Sequence, residues 1–266
     1  MTSGNGTAKA IEINGATVIR GGRAVLKSIS LSLGSEEHAC ILGPNGSGKS
    51  SLVKLISGEL SPLYREPSAI RLFGQERWAL FALRDRLGIV SDSLQQDQSR
   101  DESVLDTILS GFFGGVGLPL RVEPDGKMIA KAKEAADLLG VGTILDRRAF
   151  ELSSGQLRRV LVARALVHKP EMLLLDEPYT SLDIGARVTF RACVSSLARR
   201  GHAIVLVTHE LAEIGPEIDR VILIKNGEIQ ADGPKAEILS SEGMSTLFET
   251  PLIVAKEGDT YRARPA

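Results

Sequence analysis

Gly43-Pro44-Asn45-Gly46-Ser47-Gly48-Lys49-Ser50 is the stretch on which the reading of the fold turns. It fits the pattern of a phosphate loop, in which two glycines frame the turn and a Lys-Ser pair opens a helix. The pattern carries weight only between a buried strand and a helix, and the flanking residues supply both. His38 to Leu42 reads as a short buried strand, and Lys49 to Ser57 as a helix with Gly58 as its stop signal. The glycines let successive backbone N–H groups turn toward phosphate oxygens, and the helix N-terminus adds its dipole. Lys49 is expected to reach the β- and γ-phosphates of a nucleoside triphosphate, and Ser50 to ligate Mg2+. Gly43, Pro44, Asn45, Gly46, Ser47, Gly48 and Ser51 complete the cradle.

Three further strings narrow the chemistry. Leu173-Leu174-Leu175-Asp176-Glu177-Pro178 ends an apolar strand in two acids. In an open α/β sheet, ligands bind at that end of the strands. Asp176 is expected to hold Mg2+, directly or through water, and Glu177 to polarise an attacking water as general base. Leu152-Ser153-Ser154-Gly155-Gln156 opens a helix with hydroxyls and amides, which suits either a plain N-cap or a second anion site. Val207-Thr208-His209-Glu210 follows another buried strand.

Composition limits the alternatives. The 266 residues are 43% hydrophobic, long enough for a large core. A formal net charge of -1 exerts no general pull toward nucleic acid, and 4% aromatic residues make no base-stacking surface. No nucleic-acid partner is expected. Cys40 and Cys193 lie far apart and read as reduced thiols of a cytosolic protein. Met1 to Lys9 lacks the apolar core of a signal peptide, and no apolar run reaches the length of a membrane span.

Along the chain, strands alternate with helices, which argues for a mostly parallel sheet in a three-layer core. Residues 10 to 33 read as two strands about Gly21-Gly22. Ala69 to Phe73, Leu87 to Ser91, Glu171 to Leu175 and Ala203 to Val207 read as further strands. Val221 to Ile224 and Glu228 to Ala231 flank Asn226-Gly227, a hairpin signal. Val104 to Phe113, Lys127 to Leu139, Thr143 to Arg147 and Gln156 to His168 read as helical. Ala186 to Arg199 reads as an amphipathic helix with Phe190, Val194 and Leu197 on one face. The tail from Glu249 holds room for a short strand pair. His38, His168 and His202 are given structural or surface roles.

With these motifs in this order, the sequence resembles the ATP-binding cassette (ABC) family, specifically its nucleotide-binding subunit. The match runs from about Ile11 to about Leu239. The resemblance implies an α/β P-loop NTPase (RecA-like) with an antiparallel β subdomain and a helical signature subdomain at about 93–165. It divides the chain into a tail at 1–9, an ATPase domain at 10–248 and an extension at 249–266. It implies ATP and Mg2+ as cofactors and a head-to-tail dimer, with itself or with another cassette. In that dimer Ser153, Ser154, Gly155 and Gln156 would face the γ-phosphate held by the partner's Lys49 loop. Asp183 falls in the family's D-loop, and His209 matches its switch histidine. A separate transmembrane permease is the implied partner, which would place the chain on the cytoplasmic face of the membrane.

Three positions depart from the family pattern. Ser154 stands where a glycine is usual, and its side chain is expected to narrow the phosphate approach. No aromatic residue precedes the first turn, so Arg20 is expected to stack on adenine through its guanidinium plane. The Q-loop glutamine slot holds Asp92; Gln95 is expected to reach Mg2+ instead, with Gln96 and Asp92 as alternatives. Val104 to Gly114 resembles the molybdate- and iron-type import branch, with Phe112 and Phe113 either packed inside or facing a coupling helix. The expected activity is ATP hydrolysis powering a transporter, an importer in particular. The rival reading is a soluble single-cassette ATPase of cofactor or iron-sulfur cluster assembly.

Overall fold

The structure, a computed structural model, describes residues 8–63, 69–91, 101–115, 117–119 and 123–266. They fall into two compact units. One takes in the chain up to Trp78 and again from Ala203 onward; the other runs from Ala79 to His202. Among the described residues no helix is long and apolar enough to cross a membrane.

The first unit opens with β1 (Lys9–Arg20) and β2 (Arg23–Gly34), paired antiparallel about Gly21-Gly22. Both turn glycines have positive φ, the conformation that lets a two-residue turn follow the strand twist. Ile11, Ile13, Ala16 and Val18 on β1 face the same buried layer as Leu26, Ile29, Leu31 and Leu33 on β2. The short strand β4 (Ile70–Leu72) covers the other edge of β1.

The second sheet of this unit carries the phosphate loop. β3 (Ala39–Leu42) is buried at every residue and lies between β7 (Ala203–Thr208) and β8 (Arg220–Lys225), parallel to both. A strand buried on both faces has no polar side to alternate, which is why Ala39 to Leu42 is a continuous apolar run. β9 (Glu228–Pro234) returns antiparallel to β8 through Asn226-Gly227, both at positive φ. Arg220 fastens the base of this sheet. Its guanidinium grips Asp232 with two bonds of 2.6 Å, and reaches Glu37 at 2.8 Å and the Ser32 carbonyl at 2.9 Å. The bond to Asp232, above all, raises the Arg220 pKa.

After α7 (Lys235–Ile238) and α8 (Ser241–Phe248) the chain ends in the hairpin β10 (Leu252–Glu257) and β11 (Thr260–Pro265), the strand pair expected in the tail. Hydroxyls on α8 hold it: Ser245 Oγ and Ser241 Oγ accept from the backbone N–H groups of Leu252 and Val254, each at 2.9 Å. The helix itself was not expected. Its apolar face is only Met244 and Leu247, too short a stripe to announce a helix.

The second unit contains α2 (Leu80–Arg84), β5 (Leu87–Val90), α3 (Val104–Leu109), α4 (Gly126–Leu138), α5 (Ser154–Leu166), β6 (Met172–Asp176) and α6 (Ile184–Arg199). β5 and β6 pair in parallel, and Arg86 and Glu171 clasp their starting ends with bonds of 2.6 and 2.9 Å.

Two helical expectations were too long. Val104 to Phe113 is α3 followed by a 3-10 turn at Ser110–Phe112. A methyl on Gly111 would lie 2.3 Å from the Arg164 carbonyl, so α5 presses directly on the backbone where the helix tightens. Thr143 to Arg147 contains only the 3-10 turn Gly142–Ile144. In the same region Arg164 is held in the interior by Ser110 Oγ at 2.9 Å and the Gly115 carbonyl at 2.7 Å. Burial, and next the nearby Arg84, lowers its pKa.

Both cysteines are free thiols. Burial pushes the Cys40 pKa well up, so this thiol is inert. The histidines given structural roles have them. His38 Nδ1 accepts from the Ile204 N–H at 3.2 Å, His168 Nδ1 meets Asp85 at 2.7 Å, and His202 Nδ1 meets the Pro170 carbonyl at 2.7 Å.

On α6 the three predicted core residues, Phe190, Val194 and Leu197, are all buried. Phe190 stands edge-on to Tyr179 with ring centroids 5.2 Å apart. Phe190→Ala is expected to cost about 3–5 kcal/mol through the cavity it leaves. Val188→Ala, at a residue 67% exposed, should change stability by no more than about 0.5 kcal/mol. Urea unfolding followed by circular dichroism measures both.

Candidate nucleotide-binding site

The first unit brings the phosphate loop and His209 to one edge. Leu42 at the end of β3 is in register with Thr208 at the end of β7 and with Leu223 on β8. The loop therefore begins at the carboxyl edge of the parallel strands, and His209 emerges beside it. The Gly43 N–H donates to the Thr208 carbonyl at 3.3 Å, so the two segments are joined directly.

The loop fits its surroundings closely at both of its ends. A methyl on Gly43 would lie 2.2 Å from the Ile224 carbonyl. Gly48 has φ 109 and caps α1 (Lys49–Ile56) without any side-chain acceptor. Its neighbours Val25 and Gly227 leave only 3.2–3.3 Å for an added carbon. The first N–H groups of α1 thus have no side-chain cap, the arrangement that makes a helix N-terminus an anion site.

Lys49 is 4% exposed. Its Nζ donates to the Gly43 carbonyl at 2.9 Å and the Pro44 carbonyl at 3.1 Å, which holds the ammonium over the loop. Asn45, Gly46 and Ser50 are exposed, whereas Ser47 is buried with its backbone tied at both ends. Its N–H donates to the Pro44 carbonyl, and its carbonyl accepts from the Gly227 N–H at 2.8 Å. Ser51 is the third residue of the helix and is half-buried.

Gly227 was read from sequence only as a hairpin turn. It also supports the phosphate loop through its N–H bond to the Ser47 carbonyl, and it packs so tightly on β2 that a methyl there would lie 2.5 Å from the Val25 carbonyl. The Asn-Gly pair accounted for itself as a turn, so nothing in the sequence pointed to this second use. Arg20 ends β1 with its side chain exposed, next to Ile19, which is half exposed.

In the second unit, Asp176 ends β6 and is buried, and Glu177 follows at φ 47. A non-glycine residue in the left-handed region costs roughly 1–3 kcal/mol, and such strain gathers at functional sites. The bend is held on its far side by buried Pro178 and Tyr179 and by the Thr180 N–H donating to the Glu177 carbonyl at 3.2 Å.

The signature segment is a complete capping box. Ser153 Oγ accepts from the Gln156 N–H at 3.3 Å, and Gln156 Oε1 accepts from the Ser153 N–H at 3.0 Å. The Gln156 side chain is therefore engaged within its own helix. Asp183 is likewise an N-cap, accepting from the Ala186 N–H at 2.7 Å, which starts α6 two residues earlier than expected.

Ser154 turns its hydroxyl to the Ser181 carbonyl at 3.0 Å. The extra side chain ties the signature to the D-loop, where sequence suggested an intrusion into the phosphate approach. Gly155 is required by packing, because a methyl there would lie 2.7 Å from Ala186 Cβ. Gln95, Gln96 and Asp92, the Q-loop candidates, lie outside the described residues. Among the described residues no group of three or more His, Cys, Asp and Glu side chains is placed to hold a metal ion.

A family model described as ABC transporter matches residues 26–180, more than half of the chain. The chain belongs to the ABC transporter family. The zinc transport system ATP-binding protein TroB of Treponema pallidum is 32% identical, over 91% of this chain and 88% of its own. The hemin import ATP-binding protein HmuV of Rhodococcus jostii is 30% identical, over 92% of this chain and 81% of its own. Among solved structures, the ADP conformation of MJ1267, an ATP-binding cassette of an ABC transporter, aligns with a TM-score of 0.76 at 25% identity. That alignment covers 91% of this chain and 98% of MJ1267. The fold of this ABC protein is thus that of an ATP-binding cassette, and the loop at Gly43–Ser50 belongs to an ATP-binding subunit.

Two substitutions separate steric from conformational demands in this ABC loop. Gly43→Ala is expected to force β3 and β8 apart and lower both the unfolding temperature and the affinity for ATP. Gly46 has open space around it but φ 77, so Gly46→Ala should cost only the left-handed penalty, about 1–2 kcal/mol. Thermal unfolding and calorimetric ATP titration of both variants check the ranking.

Proposed function

We propose that this chain hydrolyses ATP to power an importer whose cargo is a metal ion or a metal chelate. The observation that carries the ATPase reading is the phosphate loop, with Lys49 buried over it and the unblocked head of α1 beside it. The cargo class is supported by the relatives, one named for zinc transport and one for hemin import.

In this reading Lys49 and the loop N–H groups hold the β- and γ-phosphates of ATP, with Asn45 at the exposed lip. Arg20, exposed at the end of β1, stacks on the adenine. The Ser50 hydroxyl and the Asp176 carboxylate are hard oxygen donors of the kind Mg2+ takes, one or two from protein beside the substrate's phosphates. Both residues fit that ion, and Gln95 is assigned to it as well. Bound there, Mg2+ would neutralise charge developing on the phosphate oxygens.

Glu177 accepts the proton of the attacking water, and His209 orients that water against the γ-phosphate. The strained backbone at Glu177 suits a residue that must be held in one position. Two copies, or this chain and another cassette, close head to tail, so that Ser153, Ser154 and Gly155 of one meet the ATP of the other. Closure acts on a separate permease subunit, which keeps the chain on the cytoplasmic face of the membrane.

Glu177→Gln is expected to bind MgATP, to lose at least about 100-fold in turnover, and to elute as a dimer in size-exclusion chromatography. Persistent monomer at saturating MgATP contradicts the closure mechanism. Lys49→Ala should lose ATP binding in calorimetry, and unchanged affinity would overturn the loop assignment. Affinity capture from detergent-solubilised membranes should recover a polytopic partner; recovery of soluble proteins alone would favour a cofactor-assembly role.

A further inference from the structure

We propose that Glu213 is a positioning residue for His209, acting through Thr208. The proposal rests on the reading of His209 as the residue that orients the attacking water. It concerns a cluster in which a carboxylate, a hydroxyl and two backbone groups meet in the interior of the first unit.

Thr208, the last residue of β7, is fully buried. Its carbonyl accepts from the Gly43 N–H, which anchors it to the start of the phosphate loop. Its hydroxyl accepts from the Glu210 N–H at 3.0 Å and donates to Glu213 Oε2 in a short hydrogen bond. The peptide plane before His209 is thus held through the Thr208 carbonyl, and the plane after it through the Thr208 hydroxyl that Glu213 orients.

The chain is shaped to bring that carboxylate back. Leu211–Glu213 forms a single 3-10 turn, closed by the Glu213 N–H donating to the Glu210 carbonyl at 3.2 Å. Leu211 and Ile214 are buried on either side of it, and the C-terminal strand β11 packs against the same turn. Glu213 is itself only 5% exposed.

Taking a carboxylate out of water is costly, and an apolar residue on a buried turn would avoid the cost. The bond therefore secures more than local packing. In a low-dielectric interior a hydroxyl-to-carboxylate bond is strong and directional, so it resists rotation of the backbone about His209. The imidazole is 33% exposed at its side chain, with Glu210 Oε1 3.9 Å from its Nε2. A general water-orienting group loses much of its effect when displaced by about 1 Å, and this clamp prevents such drift.

The test compares steady-state ATPase kinetics with imidazole NMR on the full chain. Thr208→Val removes the donor at nearly constant shape, Thr208→Ser keeps it, and Glu213→Ala removes the acceptor. Thr208→Val and Glu213→Ala are expected to lower kcat about tenfold with KM for ATP within about twofold. Their double variant should be no slower than the worse single one, because both remove the same bond. Thr208→Ser should retain kcat. In 15N-labelled protein the His209 ring resonances should shift or broaden in Thr208→Val and stay in place in Thr208→Ser.

Should Glu213→Ala fail to fold, the Val and Ser pair at position 208 still decides the matter. Unchanged kcat and ring resonances in a folded Thr208→Val overturn the proposal. His209→Ala separates this from the parent reading: full turnover in that variant refutes the role of His209 itself, whatever the clamp does.

Discussion

The phosphate loop can leave β3 only because Gly43 has no side chain. At that point the backbone passes so close to the Ile224 carbonyl that even a methyl would sit 2.2 Å away. Here β3 and β7 end in register, with Leu42 between Thr208 and Leu223, while β8 runs on to Lys225 alongside Gly43. Every other feature of this edge depends on that alignment. His209 leaves β7 beside the loop, and Gly227 braces the loop from the β8–β9 turn. The loop is thus held by backbone from several strands.

The second unit follows a similar economy. Ser153 and Gln156 satisfy each other's orphan N–H groups, and Asp183 caps α6. Ser154 and Gly155 join the two helix starts, one by a hydrogen bond to Ser181 and one by close contact with Ala186. The signature and the D-loop are consequently one mechanical piece.

Much of this was legible along the chain. The alternation in β1 and β2, the apolar run of β3, the face formed by Phe190, Val194 and Leu197, and the Asn226-Gly227 hairpin follow from local physics, and the structure has each of them. The extents were less legible. β7 runs on to Thr208 because Leu42 pairs with it, and α6 starts at Ile184 because Asp183 caps it. Val104 to Phe113 breaks because α5 presses on Gly111. The uses of Ser154, Gly227 and Glu213 were hidden, because each depends on a residue distant in sequence or on a turn with no signature of its own.

By itself the sequence determined the family and the local elements: which stretches form strands and helices, and that the motif residues sit at strand ends and helix starts. Those properties are local, set by the freedom of glycine, the charge of lysine and the period of apolar residues. Only the tertiary structure decided which backbones approach one another and what each polar side chain bonds to. Hydrogen bonds and close contacts depend on distances of a few tenths of an ångström between segments remote in sequence, and no local pattern encodes them.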